Sequence, residues 1–173
     1  MTGVALGERY AIVSLASPHD PKPFDCGVEA LNRYLREQAG QDARRKVASV
    51  FVAEDKAGAA IHGFYTLSMA SVLLDQLPGN LARKMPRYPT VPAVRLGRLA
   101  VHAEARGLGL GTHLLMDAMA RALQSDIAWA IFLVDAKDAV ARAFYERFGF
   151  LSFNDDPLHL YLMRKTLAPL FRD

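Results

Sequence analysis

The sequence VRLGRLAVHAEARGLGLGTHLL, residues 94–115, joins a strand-like segment to a glycine-rich turn and the start of a helix. Glycine permits positive φ and lets backbone N–H groups approach a ligand without a Cβ in the way. The first turn of a helix adds unpaired N–H donors and a partial positive charge. Because Arg106 places a full charge at the start of the run, which ends at Gly111, the stretch predicts a binding site for a phosphorylated ligand.

Two familiar phosphate-binding loops do not match this run. The dinucleotide motif G-x-G-x-x-G, counted from Gly109, has Leu114 at its third glycine position. Asp135 ends the next predicted strand, as a ribose-binding acid would, but the broken glycine triplet outweighs it. The nucleotide-hydrolase loop needs a Lys-Ser or Lys-Thr pair, which is missing here. A flexible surface loop remains the alternative that the glycines alone leave open.

Length and composition favour a single domain spanning residues 1–173, since 51% of the residues are hydrophobic and one core is sufficient for this length. The lone Cys26 excludes an internal disulfide, and the five histidines show no metal-binding spacing, so we expect no metal. No apolar run approaches the roughly 20 residues of a membrane helix. These features predict a cytoplasmic protein that does not act at a membrane.

Hydrophobic periodicity places the other elements. Expected strands are 10–15, 47–53, 60–74, 94–101, 129–134 and 158–167. A first long helix is expected after Asp25 or Cys26, either of which can cap it, and further helices are expected at 80–85, 110–123 and 139–148. The first long helix has an apolar stripe of Val28, Leu31, Leu35, Ala39 and Ala43. The strands 47–53 and 60–74 should form a hairpin around residues 56–58, with a bulge at Gly63.

Two local features carry more specific predictions. In the strand 94–101 the apolar phase changes at Gly97, which predicts a bulge that turns Arg95 and Arg98 toward the same side. The helix 139–148 should be capped by Asp138. Its apolar stripe consists of Val140, Ala141, Phe144 and Phe148, with Tyr145 at the border. A tyrosine there could pack its ring and present its hydroxyl to a cleft.

The strand, the Arg-x-x-Gly-x-Gly turn and the segment FYERFGF, residues 144–150, together resemble the GNAT acetyltransferase superfamily. This resemblance implies an α/β fold of the α+β type, in which helices flank a central mixed sheet with splayed strands 4 and 5. It also implies acetyl-CoA as cosubstrate. The implied cofactor-binding residues are Leu99, Ala100 and Val101 for the pantetheine arm, Arg106, Gly107, Gly109, Gly111 and Thr112 for the pyrophosphate, and Phe144.

Residues 24–27 and 31–35, with the LGRLAV strand and the Tyr145 segment, are similar to the tRNA-acetylating toxins of type II toxin–antitoxin modules. The matching blocks span Phe24 to Phe150. The resemblance implies acetyl transfer to the α-amine of an aminoacyl-tRNA, which blocks translation. It further implies a ribbon–helix–helix antitoxin as partner and a homodimer.

The resemblance makes Tyr145 the first choice for the catalytic residue, as a general acid that protonates the departing CoA sulfur. The strand 95–101 lacks the glutamate that serves as general base in many enzymes of this superfamily, and Glu104 lies beyond its end. An α-amine, with a pKa near about 8, needs less help to lose its proton than a lysine near about 10.4. The missing base therefore favours an α-amine acceptor.

The basic residues form acid-free groups that suit a phosphate backbone. No Asp or Glu occurs between residues 76 and 103. The candidate tRNA-binding residues are Arg33, Arg36, Arg44, Arg45, Lys46, Arg83, Lys84, Arg87, Arg95 and Arg98. A small-molecule or protein N-acetyltransferase is the alternative enzyme, and a non-catalytic CoA- or nucleic-acid-binding module is the alternative from another class.

Overall fold

A computed structural model describes residues 5–172 and contains seven strands in one mixed sheet, in the order β1-β2-β3-β4-β5-β7-β6. The strands are β1 Tyr10–Ser14, β2 Ser49–Asp55, β3 Ile61–Leu73, β4 Thr90–Val101, β5 Ile131–Asp135, β6 Leu151–Ser152 and β7 His159–Met163. The helices are α1 Leu6–Arg9, α2 Glu29–Arg33, α3 Ala39–Arg44, α4 Gly79–Ala82, α5 Leu110–Gln124, α6 Ala139–Glu146 and α7 Arg164–Leu167.

Strands β4 and β5 run parallel, whereas β1–β2, β2–β3, β5–β7 and β6–β7 are antiparallel. The parallel register runs from Ala93↔Ile131 to Leu96↔Val134. Beyond it, β4 continues to Val101 while β5 ends at Asp135. The mixed α/β fold expected from the sequence is confirmed.

The described chain divides into two compact units, whereas length and composition predict one domain over residues 1–173. The first unit contains residues 5–68 and 98–119, and the second contains residues 69–97 and 120–172. The boundaries fall within β3, β4 and α5, so all three elements begin in one unit and end in the other. The single domain stays a prediction.

In the first unit, the long helix after residue 28 contains a π-helical turn, Tyr34–Gln38, between α2 and α3. Its apolar stripe recurs every four residues from Leu31 to Ala43, slightly longer than the 3.6-residue period of an α-helix. One wider turn absorbs this excess, so that the stripe stays on one face. Leu35 and Ala39 are buried, as that stripe predicts.

The prediction that Asp25 or Cys26 caps this helix is wrong. The residue that precedes the first turn is Val28, and its side chain makes no capping hydrogen bond. Asp25 instead accepts hydrogen bonds from the backbone N–H of Gly27 at 2.9 Å and from the Asn32 amide at 3.0 Å. The Asp25 side chain therefore stabilises a turn before the helix and does not cap the helix.

The hairpin and its bulge are confirmed. Gly63 pairs with Ala53 and Ile61 pairs with Glu54, so His62 is the extra residue in β3. A Cβ at Gly63 would lie 2.8 Å from Leu114 Cδ1 and 3.2 Å from the Ala100 carbonyl oxygen. The missing side chain therefore lets α5 pack against the hairpin.

In β4 the buried residues are Val91, Ala93, Val94, Leu96 and Ala100, so the buried phase changes between Ala93 and Val94 and not at Gly97. This pattern gives no support to the phase change expected at Gly97. The final strand is shorter than predicted, because the chain enters α7 at Arg164. The second unit has its own core, which includes Val72, Val91, Ile131, Leu133, Phe153 and Tyr161.

Candidate active site

The glycine run of the first unit forms the predicted turn before α5. Gly107 has φ +78° and Gly109 has φ +82°, conformations that strain any residue with a side chain. A Cβ at Gly107 would meet no atom within 4 Å. The backbone is therefore open to an incoming ligand at this point.

Helix α5 holds this turn against the core through its apolar face. Leu110, Leu114 and Leu115 are all buried. The first hydrogen bond of this helix is donated by the backbone N–H of His113 to the Gly109 carbonyl at 3.1 Å. The N–H groups of residues 110–112 precede the first intrahelical bond, so they have no partner within the helix. With the helix dipole, these donors form a cradle whose charge and geometry suit an anion.

Arg106 is tied to a segment far away in sequence. Its guanidinium donates a hydrogen bond to the Cys26 carbonyl, and the Ala103 N–H donates to the Asp25 carbonyl at 2.8 Å. The backbone N–H of Gly27, followed by the amide of Asn32, holds the Asp25 pKa below its usual value. The Arg106 side chain thus anchors the start of the turn while keeping its positive charge beside it.

We expect Gly27→Ala to disturb this anchor. A Cβ at Gly27, whose φ is +83°, would lie 2.6 Å from the Arg106 guanidinium. The combined strain and displacement should lower the free energy of unfolding by about 1–2 kcal/mol. Urea unfolding monitored by circular dichroism measures this loss. Gly58→Ala is the control, because a Cβ there meets nothing within 4 Å, and equal losses in both variants would contradict the anchoring role.

The end of β4 carries the three residues expected to pair with a pantetheine arm. Ala100 is buried, whereas Leu99 and Val101 are partly exposed. Gly111 and Thr112, in the first turn of α5, are also partly exposed. Residues 102–106 connect this end of β4 to the glycine turn and its cradle.

In the second unit, Tyr145 lies on α6 and is the buried residue of that helix, with 5% of its surface exposed. Its ring contacts Phe144 and Phe150 at centroid distances of 5.2 and 5.7 Å. Burial, with a smaller contribution from the negative charge of Asp135, raises the pKa of Tyr145. The hydroxyl is therefore held in its protonated form.

The predicted apolar stripe of α6 is partly wrong. Val140 is 80% exposed, so the buried face is centred on Tyr145 instead of on Val140 and Phe144. The predicted cap is confirmed, since Asp138 accepts a hydrogen bond from the Ala141 N–H at 2.8 Å. The helix ends two residues early, at Glu146.

A charged cluster at the end of β5 was not expected from the sequence. His159 Nδ1 lies 2.6 Å from Asp135 Oδ1, and Arg95 Nε lies 3.8 Å from Asp135 Oδ2. The Arg95 Nε atom is buried and has no hydrogen-bond partner among residues 5–172. Asp135 was noticed only as the acid that ends a strand, and His159 carried no signal in the sequence. The cluster supplies the negative charge that acts on Tyr145.

The candidate tRNA-binding residues differ in how far they are engaged. Arg36 pairs with Glu29 at 2.6 Å, and the Arg98 guanidinium lies 3.6 Å from the centre of the Tyr34 ring. The exposed ones are Arg33, Arg44, Arg45, Lys46, Arg83, Lys84 and Arg87. The first unit contains Arg33, Arg36, Arg44, Arg45, Lys46 and Arg98, and the second contains the others.

Residues 5–172 contain neither a metal-binding cluster nor a membrane-spanning helix. No cluster of three or more His, Cys, Asp or Glu side chains in residues 5–172 has the arrangement of a metal site. Within the same residues, no helix has both the length and the apolar composition to cross a membrane.

Comparisons with known proteins agree with this geometry. A tRNA-acetylating toxin of Mycobacterium tuberculosis (strain ATCC 25618 / H37Rv) is 37% identical over 161 residues, which cover 92% of this chain and 95% of that protein. A structure of AtaT complexed with acetyl-methionyl-tRNAfMet matches with a TM-score of 0.86 and 28% identity, covering 94% of this chain and 99% of the other. A structure of AtaTR bound with AcCoA matches with a TM-score of 0.83 and 27% identity, covering 95% and 99%. The sequence profile of the Acetyltransferase (GNAT) family matches residues 22–150, and the chain therefore belongs to this family.

Proposed function

We propose that this protein is a toxin that transfers the acetyl group of acetyl-CoA to the α-amine of an aminoacyl-tRNA and so blocks translation. The observation that carries the proposal is the 37% identity, over 92% of the chain, to a tRNA-acetylating toxin. The open glycine turn before α5 and the protonated Tyr145 supply chemistry that such a transfer needs. Neither feature depends on the comparison.

Acetyl-CoA fits the cradle of the first unit. Gly107 has a positive φ, and the space beside its backbone is open. The first N–H groups of α5 suit the two phosphates of the CoA pyrophosphate. In the proposal, residues 106–112 bind the pyrophosphate and the backbone of Leu99 to Val101 pairs with the pantetheine arm. When bound, acetyl-CoA supplies an activated acetyl group as a thioester.

Tyr145 acts as the general acid in the proposed reaction. The amine nitrogen attacks the thioester carbonyl carbon, a C–N bond forms and the C–S bond breaks. The Tyr145 hydroxyl gives its proton to the departing sulfur, and the proton lost by the amine restores the phenol directly or through water. The raised pKa keeps the phenol in the protonated form that a proton donor needs.

The proposed acceptor accounts for the basic residues of both units. Exposed cations such as Lys46, Lys84 and Arg87 suit phosphates of the tRNA backbone. We further propose a homodimer, a ribbon–helix–helix antitoxin as partner and a cytoplasmic location. Similarity to a tRNA-acetylating toxin supports the proposal of an antitoxin partner, since a toxin that blocks translation has to be held inactive in the cell that makes it.

The test is transfer of label from acetyl-CoA carrying a radioactive acetyl group to total aminoacyl-tRNA. We expect label in N-acetylaminoacyl-tRNA that is lost when the ester bond to the tRNA is hydrolysed. Deacylated tRNA is the control and should take up none. Failure of protein that binds acetyl-CoA to label any aminoacyl-tRNA would overturn the proposal, and efficient labelling of free amines or peptides instead would point to the alternative acetyltransferase.

The basic residues predict a salt-dependent interaction. Arg87→Glu should weaken aminoacyl-tRNA binding several-fold and lower the slope of log affinity against log salt by about 1, because one phosphate contact is lost. Filter binding at several salt concentrations measures both. Lys22→Glu is the matched control, since it reverses the charge of an exposed cation outside the proposed surface. An equal effect in this variant would show that only the net charge of the protein matters.

A further inference from the structure

The second unit contains a cavity of about 640 Å³ that neither the cradle nor Tyr145 uses. Four cations lie around it: Lys84, Arg164, Lys165 and Arg172. No acidic residue lines it, and none of the four forms an ion pair with another residue in the range 5–172. Clustered cations repel one another, so this arrangement is favourable for binding an anionic group.

The floor of the cavity is apolar. It includes Met85, Trp129 and Met163, and the flexible thioether side chains of the methionines adapt to different apolar shapes. A volume of this size lies within the range of pockets that enclose whole ligand groups. The cavity therefore combines a positively charged rim with space for a large apolar side chain.

Trp129 is not available to stack on a nucleic-acid base. Only 3% of its surface is exposed, its indole N–H donates to the Ala122 carbonyl at 2.8 Å, and the Arg164 guanidinium lies 4.6 Å from its ring centre. A phosphate backbone would satisfy the cations but leave the apolar floor empty. A peptide that carries both apolar and acidic side chains satisfies both parts.

The cavity lies at the other end of β5 from Asp135. Trp129 and Ala130 precede the strand, whose four residue steps from Ile131 to Asp135 span roughly 13 Å. On β7, which is antiparallel to β5, the cavity lies at Met163 and the Asp135 partner His159 lies at the opposite end. An occupant of the cavity therefore leaves the end of the sheet that carries the charged cluster uncovered.

We propose that this cavity is a docking site for an acidic peptide segment of a protein partner. A large apolar side chain of the segment fills the floor, and flanking carboxylates pair with the cations of the rim. Lys84 also belongs to the proposed tRNA surface, so a docked segment neutralises one of the charges offered to tRNA. The docking site itself does not depend on the identity of the acetyl acceptor.

Trp129 is the only tryptophan of the chain, so its fluorescence reports on this cavity alone. The probe is a short synthetic peptide with a central leucine flanked by glutamates. We expect saturable emission changes. A peptide with glutamines in place of the glutamates, and one with serine in place of leucine, should each bind about tenfold more weakly, because each lacks one half of the recognition.

Variants locate the binding. Lys165→Glu combined with Arg172→Glu should weaken the acidic peptide by about tenfold or more, whereas Lys137→Glu, an exposed reversal in the same unit, should not. Arg164 is left unchanged, since it packs on Trp129. Circular dichroism checks that the variants remain folded.

Three outcomes would overturn the proposal. Equal binding of the leucine and serine peptides would show attraction by charge alone. A short RNA hairpin that changes Trp129 emission, and whose binding is weakened by Lys165→Glu with Arg172→Glu as strongly as that of the peptide, would assign the cavity to nucleic acid. Trp129 emission that changes with protein concentration, and not with any peptide, would assign it to a second copy of the chain.

Discussion

Tyr145→Phe should lower kcat by about 100-fold or more and leave acetyl-CoA affinity nearly unchanged, because phenylalanine keeps the packed ring but loses the proton donor. The ring is buried against Phe144 and Phe150, so removal of the hydroxyl should cost little stability. Single-turnover transfer to aminoacyl-tRNA measures the chemical step, and calorimetric titration measures acetyl-CoA binding.

Tyr161→Phe is the matched control for this variant. Tyr161 is equally buried in the second unit, and burial raises its pKa as well, but it lies on β7 in a core cluster. The control should retain full turnover. Unchanged turnover in Tyr145→Phe would transfer the acid role to another group.

The raised pKa of Tyr145 also predicts a pH dependence. The free tyrosine value is 10.0, and the folded protein keeps the phenol protonated above it. The rate of the Tyr145 protein should therefore show no loss as pH rises through that value, while neutralisation of the α-amine should increase the rate near about pH 8. A fall in rate centred at the ordinary tyrosine pKa would contradict the shift.

Gly107→Ala should weaken acetyl-CoA binding by about tenfold or more. The residue has φ +78°, and an added Cβ would project into the open space that the proposal assigns to the pyrophosphate. The strain alone should cost about 1–2 kcal/mol of stability, as expected for a side chain in the left-handed region. Calorimetric titration with acetyl-CoA measures the loss of affinity.

Gly149→Ala separates strain from binding. Gly149 has φ +94° and lies after α6 in the second unit, where an added Cβ would be 3.8 Å from Leu162 Cδ1. It should lose comparable stability but keep its affinity for acetyl-CoA. Equal losses of affinity in the two variants would show that Gly107→Ala weakens binding only because it destabilises the protein.

Local signals predicted several elements correctly. Asp138 caps α6, the hairpin turns at residues 56–58, and the glycine run adopts positive φ before α5. Each depends on hydrogen bonds or steric limits between residues close in sequence, which composition and spacing report directly. The helix α5 was also predicted from its hydrophobic periodicity, because an amphipathic helix buries one continuous stripe.

Errors occurred where a distant contact competed with a local preference. The Asp25 side chain was predicted as a helix cap, but it binds Gly27 and Asn32, in a turn that Arg106 holds from 80 residues away. Val140 was predicted as buried, but Tyr145 occupies the buried face of α6. Spacing identifies which residues can share a face, and packing decides which face is buried.

The sequence by itself determined the order of the longer strands and helices, the glycine turn before α5 and the family to which the chain belongs, since these depend on short segments whose residues act on their neighbours. The tertiary structure decided how Arg106 is anchored, how Asp135 meets Arg95 and His159, and how the C-terminal cations surround a cavity. These groups are far apart in the chain, and only the pairing of strands brings them within reach of each other's charges.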